Sequence, residues 1–303
     1  MILSICIPTY NYNIVSLVNT LHEQLLASSI SFEILVVDDC SDDRSCVEVN
    51  QSIRQLSNTR FIQLDKNCGR SFVRNYLIQQ ANGEFLLFLD GDVFPCTNDF
   101  IQHYLSKRHA GDVIVGGLRY REQLKDERNA LRWRYGVERE ALLAKERKRK
   151  PYSSFMSGNF LINAKVFSRL RFDESLKKYG HEDTLLGLAL KKDQYTIKHI
   201  DNPVFHDGLE SNEVFLEKTR IAVENLYQLI TNHPAATDLF KEVKLLKLYK
   251  ILQSILLNKP VARWFHRNEK QLATGLCSGK LSLRYLDWYK LGYLCQISLQ
   301  KHA

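Results

Sequence analysis

The chain has 303 residues, 45% of them hydrophobic and 25% charged, with a formal net charge of +8. This is ordinary globular composition, which excludes a disordered or fibrous chain and leaves room for one large domain or two. No apolar stretch approaches the roughly 18 residues of a membrane-spanning helix, and the first eight residues lack the basic leader and small-residue cleavage site of a secretory signal. The seven cysteines include no Cys-x-x-Cys pair, so reduced thiols in a cytoplasmic protein are expected, not a disulfide framework or a zinc site.

In chain order, residues 3–9 are a short apolar run, rich in isoleucine, that closes on Pro8-Thr9 and predicts a buried strand. Apolar residues at helical spacing predict a helix over 14–27. The run Phe-Glu-Ile-Leu-Val-Val over 32–37 predicts a second strand that stops at Asp38-Asp39. A helix over 45–56, a strand over 59–64 and a helix over 70–81 follow, and a strand over 84–89 runs into Asp90-Gly91-Asp92. Strands alternating with helices define βαβ units and a mostly parallel sheet. In such sheets ligands sit beyond the carboxyl ends of the strands. Thr9-Tyr10-Asn11, Asp38-Asp39 and Asp90-Gly91-Asp92 should therefore converge on one edge.

Further on, a helix over 99–109 and a strand over 113–117 precede a long, basic, helix-prone segment at 119–150. A loop at 151–157, an apolar run at 159–166, a helix from 180 to about 192 and a strand over 195–200 follow. Three or so amphipathic helices, near 213–232, 237–257 and 282–300, form the tail. The charge is uneven: residues 1–118 hold 8 basic and 13 acidic side chains, 119–150 hold 12 and 6, and 241–303 hold 12 and 3. Such runs attract phosphate-rich partners or anionic lipid, or are simply solvated helix faces.

Asp90 and Asp92, two residues apart at a strand end, can reach a hard divalent cation that keeps positions open for phosphate oxygens. Gly91 permits the tight turn between them. By itself Asp-Gly-Asp is also a common turn.

The ordered set Ser4-Ile5-Cys6-Ile7-Pro8-Thr9-Tyr10-Asn11, Val36-Val37-Asp38-Asp39-Cys40-Ser41, Asn67-Cys68-Gly69-Arg70 with Arg74-Asn75, Leu89-Asp90-Gly91-Asp92 and Glu182-Asp183 resembles the signature of family 2 glycosyltransferases. The resemblance covers roughly residues 1–210. It implies the GT-A fold: a Rossmann-like, mostly parallel α/β sheet flanked by helices, here with an α-helical C-terminal extension. The expected division is a catalytic domain over 1–212, with a nucleotide-sugar half (1–118) and an acceptor half (119–212), then a helical region over 213–303.

The resemblance also implies roles. Pro8, Thr9 and Tyr10, with Asn11 beside them, would line the nucleobase and ribose pocket, and Asp39 would accept from the base N–H. Arg74 would approach the base or the diphosphate. Asp90, Gly91 and Asp92 would meet the ribose and a Mn2+ or Mg2+ ion, Asp92 more directly, with His206 as a further ligand. Asp183 would be the general base that deprotonates the acceptor in an inverting transfer, and Glu182 would orient the site.

Each assignment has a plainer counterpart. Asp38 and Asp39 could cap a helix or close a turn, Arg74 could be a surface arginine, and Glu182-Asp183 could be dipole-favoured carboxylates at a helix start. His206 could be structural, and His181 could contact the acceptor or cap the helix. Gly158-Asn159 would border the donor sugar or form a plain turn. Trp133, Tyr135, Trp264 and Trp288 could stack on sugars, although aromatics at helical spacing are usually core.

The expected activity is metal-dependent, inverting transfer from a nucleotide sugar, most plausibly a UDP-sugar, to a glycan or lipid-linked saccharide. A sugar-phosphate nucleotidyltransferase is disfavoured because 8–13 hold neither glycine nor lysine where its Gly-rich basic loop would stand. A basic adaptor binding polyanion or membrane is the non-enzyme alternative. Lys241, Lys244, Lys247 and Lys250 recur among apolar residues and suggest a tail helix with cationic and apolar sides that could lie on the anionic inner membrane face. No nucleic-acid partner is expected, and the oligomeric state is left open.

Overall fold

The computed structural model describes residues 1–124, 126–176 and 179–300. The chain divides into two compact units. One comprises Met1–Arg121, Glu140–Lys177 and Glu182–Gly208; the other comprises Glu122–Arg139, Lys178–His181 and Leu209–Ala303. The boundary expected at 212 lies near the passage into the second unit at Leu209. The division is not linear, however, because 122–139 also belong to the second unit.

The first unit opens with the alternation that the sequence predicts: β1 (Leu3–Thr9), α1 (Val15–Ala27), β2 (Phe32–Asp38), α2 (Arg44–Gln51), β3 (Thr59–Gln63), α3 (Arg70–Gln80) and β4 (Phe85–Leu89). Next come β5 (Val93–Pro95), α4 (Phe100–Lys107), β6 (Val113–Val115) and β7 (Leu118–Arg119). The helix-prone segment at 119–150 does not run as one helix. In its place are short pieces, α5 (Ala130–Tyr135), which belongs to the second unit, and α6 (Ala144–Arg147), joined by a π turn over Gly136–Glu140. The first unit ends with β8 (Asn159–Asn163), α7 (Glu182–Lys192), β9 (Ile197–His199) and β10 (Val204–His206).

Seven strands form one sheet in the order β3-β2-β1-β4-β8-β6-β9. The first four are parallel, as are β6 and β9, and β8 runs antiparallel between them. Buried on both faces, the strands read as continuous apolar runs, as parallel sheets do. Their alternation divides two cores: Ile5, Ile7, Ile34, Val36, Leu87 and Leu89 pack with α1 and α4 residues, whereas Cys6, Leu35, Val37, Leu86 and Phe88 pack with Val73, Leu77, Leu186 and Leu190. The short strands β5, β10 and β7 form a second sheet that carries the chain from Asp92 back past His206.

The second unit is helical: α5, α8 (Asn212–Asn232), α9 (Ala236–Glu242), α10 (Lys244–Ser254), α11 (Asn258–Cys277) and α12 (Leu283–Gln300). Two helices, α9 and α10, occupy the stretch read as one, broken at Val243. The helix α11 has no counterpart in the sequence reading. Pro260 marks a break in a sequence, but it falls in the first turn of α11, where no intrahelical N–H is needed. No helix among the described residues is long and apolar enough to cross a membrane, and the described cysteines are free thiols.

Candidate active site

The carboxyl ends of β1, β2 and β4 meet as the alternation requires. The Asp39 amide donates to the Thr9 carbonyl at 2.9 Å, and the Asn11 amide donates to Ser41 Oγ at 2.7 Å. Asn11 adopts φ +50 and its Oδ1 accepts from the Asp43 amide, so it stitches the first two strand-end loops together. Gly91 closes the third side: a Cβ there would lie 3.1 Å from Thr9 Oγ1 and 3.2 Å from the Pro8 carbonyl. Tyr10 is largely exposed, its hydroxyl bonded to Asp42 at 2.5 Å, and presents a ring at the rim of this edge.

Of the two neighbouring aspartates, Asp38 is wholly buried and closes a turn by accepting from the Ser41 amide and hydroxyl. Asp39 receives the amides of Cys68 and Gly69 at 2.7 and 2.9 Å and so fixes the entry to α3. Each of its oxygens keeps a second acceptor position. Burial pushes the Asp39 carboxyl above its ordinary range, and the two amides oppose that rise. Gly69, at φ +88, turns the chain into α3 with a backbone that a side chain would strain.

The helix α3 links the scattered carboxylates. Its first residue, Arg70, pairs with Glu182 at 3.5 Å and lowers the pKa of Asp92. One turn on, Arg74 is 2% exposed and donates from Nη2 to Asp90 Oδ1 at 2.5 Å, while its Nε and Nη1 have no hydrogen-bond partner. A buried guanidinium with unused donors is a poised anion-binding group, because each unsatisfied donor would otherwise cost a large fraction of a hydrogen bond. Arg70 carried no role in the sequence reading beyond its place in the motif. Only folding shows that residues 70 and 74, on one helix face, reach carboxylates from two different segments.

Glu182 and Asp183 open α7. Burial and the Glu182 charge raise the pKa of Asp183 to about 6, with Arg74 and hydrogen bonds from Ser157 opposing the shift. Its Oδ1 is buried and accepts no hydrogen bond. A carboxylate with a free lone pair and a pKa near neutrality can take up a proton at working pH. Ser157, which the sequence reading left in a loop, is buried and steadies it.

On the other side of Asp90, Asp92 Oδ2 lies 3.5 Å from His206 Nε2. Burial pushes the Asp92 carboxyl up, His206 pulls it down, and the neighbouring Asp90 raises it. Tyr120 stacks on the imidazole with centroids 5.6 Å apart, and His206 Nδ1 is buried without a partner. The Asp207 and Gly208 amides both donate to the Asp92 carbonyl. A Cβ on Gly208 would lie 2.6 Å from Asp92 Oδ2, so only glycine leaves that carboxylate in place. A carboxylate oxygen facing an imidazole nitrogen suits Mn2+ or Mg2+. Among the described residues no group of three or more His, Cys, Asp or Glu is arranged as a ligand cluster. An ion held by Asp92 and His206 would therefore complete its shell from ligand oxygens.

Two further motif positions make hydrogen bonds within the chain. Asn159 is buried, accepts from the Tyr104 hydroxyl and donates to the carbonyls of Gly117 and Asn202. Its neighbour Gly158 does border the site, since a Cβ there would meet Asp90 Oδ2 at 2.9 Å. In the second unit, His181 sits at φ +75 with Nε2 3.1 Å from the Ala222 carbonyl.

The strand ends of the first unit thus gather an exposed aromatic ring, a buried arginine and the carboxylates of three chain segments. The family profile described as Glycosyl transferase family 2 matches residues 4–171. The chain belongs to this family and is a glycosyltransferase domain.

Among curated proteins it is 39% identical over 92 residues to the poly(ribitol-phosphate) beta-N-acetylglucosaminyltransferase TarS of Staphylococcus aureus, a match covering 29% of this chain and 16% of that protein. It is 32% identical over 123 residues to a poly(ribitol-phosphate) beta-glucosyltransferase of Bacillus spizizenii, covering 39% and 19%. The matches thus span less than a fifth of these relatives' length. Among solved structures, the mannosyltransferase PcManGT of Pyrobaculum calidifontis, in complex with GDP-Man and Mn2+, aligns at TM-score 0.60 and 16% identity over 99% of this chain and 86% of that one. TarS 1–349 in complex with UDP aligns at 0.51 and 18% over 100% and 92%. At these identities the likeness speaks to the GT-A fold.

Proposed function

We propose that this domain performs an inverting, metal-dependent transfer from a UDP-sugar to a hydroxyl of a glycan or lipid-linked saccharide. The observation that carries the proposal is the single chain of charge Asp92–Asp90–Arg74–Asp183, joined through α3. Pro8, Thr9, Tyr10 and Asn11 line the base and ribose pocket, with Asp39 as acceptor for the base N–H. Arg74 turns its unused N–H groups to the diphosphate. Asp92 and His206 would hold a Mn2+ or Mg2+ ion, and Asp90 and Gly91 border the ribose. When bound there, a divalent cation would supply positive charge against the charge that grows on the leaving group.

Asp183 takes the proton of the acceptor hydroxyl as that oxygen bonds to the anomeric carbon. The carbon–oxygen bond to the diphosphate breaks, and UDP leaves with the electron pair. Glu182, held by Arg70, keeps Asp183 near neutrality. The choice of uridine is supported by the relative crystallised with UDP and UDP-GlcNAc, and the choice of a cation by the neighbour crystallised with Mn2+. The acceptor class is supported by relatives named for teichoic acid and poly(ribitol-phosphate) transfer. The domain division is proposed as a donor half within 1–118 and a helical region from 213 onward, with the lysine-rich tail meeting an anionic membrane surface from the cytoplasmic side.

UDP with Mn2+ should raise the melting temperature of the wild type through binding linkage and should leave Asp92→Ala unmoved. Equal protection of both proteins would remove Asp92 from the metal site. A screen of nucleotide sugars for release of the nucleoside diphosphate then identifies the donor.

A further inference from the structure

The second unit exposes apolar side chains where a soluble surface has no use for them. Ile255, Leu256 and Leu257 are consecutive and 54%, 80% and 45% exposed, and Leu256 sits at φ +58 in the turn between α10 and α11. Leu257, Val261 and Trp264 recur at spacings of four and three, one helical stripe. With Pro260, Tyr285 and Trp288, the last two of these line a cleft of about 420 Å³. Trp264 and Trp288 are 46% and 51% exposed, so neither is the core aromatic that helical spacing suggested.

A second stripe of α11, about a quarter turn round the helix, faces inward: Ala262, Phe265, Leu272 and Leu276, all buried. A third stripe carries Lys259, Arg263, Arg267 and Lys270, all exposed and making no ion pair among the described residues. Asp287, beside Trp288, is offset by Arg139 at 3.0 Å.

The geometry points to this face, the 255–257 turn with the cleft lined by Pro260, Val261, Trp264, Tyr285 and Trp288, as the surface that enters an anionic lipid bilayer. The inference deepens the membrane contact proposed above, rests on it, and moves it away from the lysine helix. The face of α10 is not divided as the sequence suggested: Leu246 and Tyr249 turn inward, while Leu248 and Ile251 stand out among Lys247 and Lys250.

Two features select lipid as the occupant. The cleft has almost no polar lining, so it offers a saccharide ring a stacking surface but nothing for its hydroxyls, whereas an acyl chain needs only apolar walls. Unpaired cations border the apolar stripe on its solvent side, as they do on interfacial helices that meet anionic headgroups, and tryptophan and tyrosine favour that depth.

The test uses the full chain and co-sedimentation with vesicles of phosphatidylcholine alone or mixed with phosphatidylglycerol, with tryptophan emission read in parallel. Wild type should partition onto the anionic vesicles with a blue shift. Leu256→Asp should lose about tenfold in partition, and Trp264→Ala with Trp288→Ala should lose both partition and the shift, each with the melting temperature of wild type kept. Lys244→Ser, Lys247→Ser and Lys250→Ser together should lose less.

If wild type ignores anionic vesicles, the membrane reading itself falls. If it binds and only the lysine variant is impaired, the membrane reading stands and this face is excluded. A blue shift given instead by a soluble anionic glycan, or self-association relieved by Leu256→Asp, assigns the face to a glycan or to a second copy and overturns the proposal.

Discussion

Two regions of this molecule break the ordinary partition of side chains in opposite directions. At the strand ends of the first unit, charged groups are buried: Arg74 at 2% exposure, with Asp39 and Glu182 close behind. On the α10–α12 face of the second unit, large apolar groups are exposed. Exposed single apolar residues mean little, whereas buried charge and clustered exposed aliphatics carry information. The comparison teaches where selection acted on something other than stability. On the function proposed above, the unsatisfied donors and the raised carboxyl at the strand ends serve the transfer, and the wet leucines of the helical face meet a bilayer.

The largest effect expected is at Asp183. Asp183→Asn should keep UDP binding and lose transfer by about 10³-fold, the scale of a removed general base; undiminished turnover would break the contrast at its strongest point. The same change should help folding. The folded pKa of about 6 lies above the ordinary value of 3.8, so the folded state binds the extra proton and stability falls as pH rises between those values. Above pH 6 the buried charge remains a fixed cost that asparagine removes. The variant should melt roughly 2–4 °C higher at pH 7, with the advantage gone below pH 4; a lower melting point at pH 7 would deny that the charge is strained.

The next effect separates the two kinds of leucine on one helix. Leu246→Ala, in the core, should cost about 2–5 kcal/mol, whereas Leu248→Ala should stay within about 0.5 kcal/mol, both read by denaturant unfolding. Comparable losses would show that the exposed row packs against something in the folded chain. Arg74→Lys keeps the charge and loses the planar fork; donor affinity should fall about tenfold by calorimetry, and unchanged affinity would return Arg74 to a purely structural role. The smallest effect is in the pH–rate profile. The acidic limb should fall near pH 6, and Glu182→Gln should move it lower, because the Glu182 charge raises Asp183. A limb that stays in place separates the pair.

The basic segments sharpen the same lesson. In 119–150, Arg147 is buried and donates to the carbonyls of Leu142, Val115, Gly116 and Ile200, Arg121 forms a two-pronged bond with Asp207, and Arg132 faces Glu210 at 4.0 Å. Part of that run is internal wiring, while Lys145, Lys148, Arg149 and Lys150 stay exposed. The run in α11 is bare. Charge counts alone made the two look alike.

The alternating strands and helices through residue 89 were legible because a parallel strand buried on both faces is apolar throughout and stops where its polar end begins. The meeting of Thr9, Asp39 and Asp90 at one edge followed from the same rule. What failed was local signal overridden by context. The basic stretch after Arg119 has helical propensity but is divided between two units. The strands β5 and β10 are three residues each and form only by pairing within the small sheet, β10 with both β5 and β7. Pro260 stands in the first turn of α11, where a helix does not need its amide.

The amino-acid sequence by itself determined the βαβ order, the strand-end carboxylates and the family, because periodicity and motif spacing are properties of neighbours along the chain. Tertiary structure alone decided that Arg70 and Arg74 reach carboxylates from distant segments, that Asp183 titrates near neutrality, and that Trp264 and Trp288 stand in solvent. Those facts depend on burial and on charges brought close in space, and neither distance nor desolvation is written in linear order.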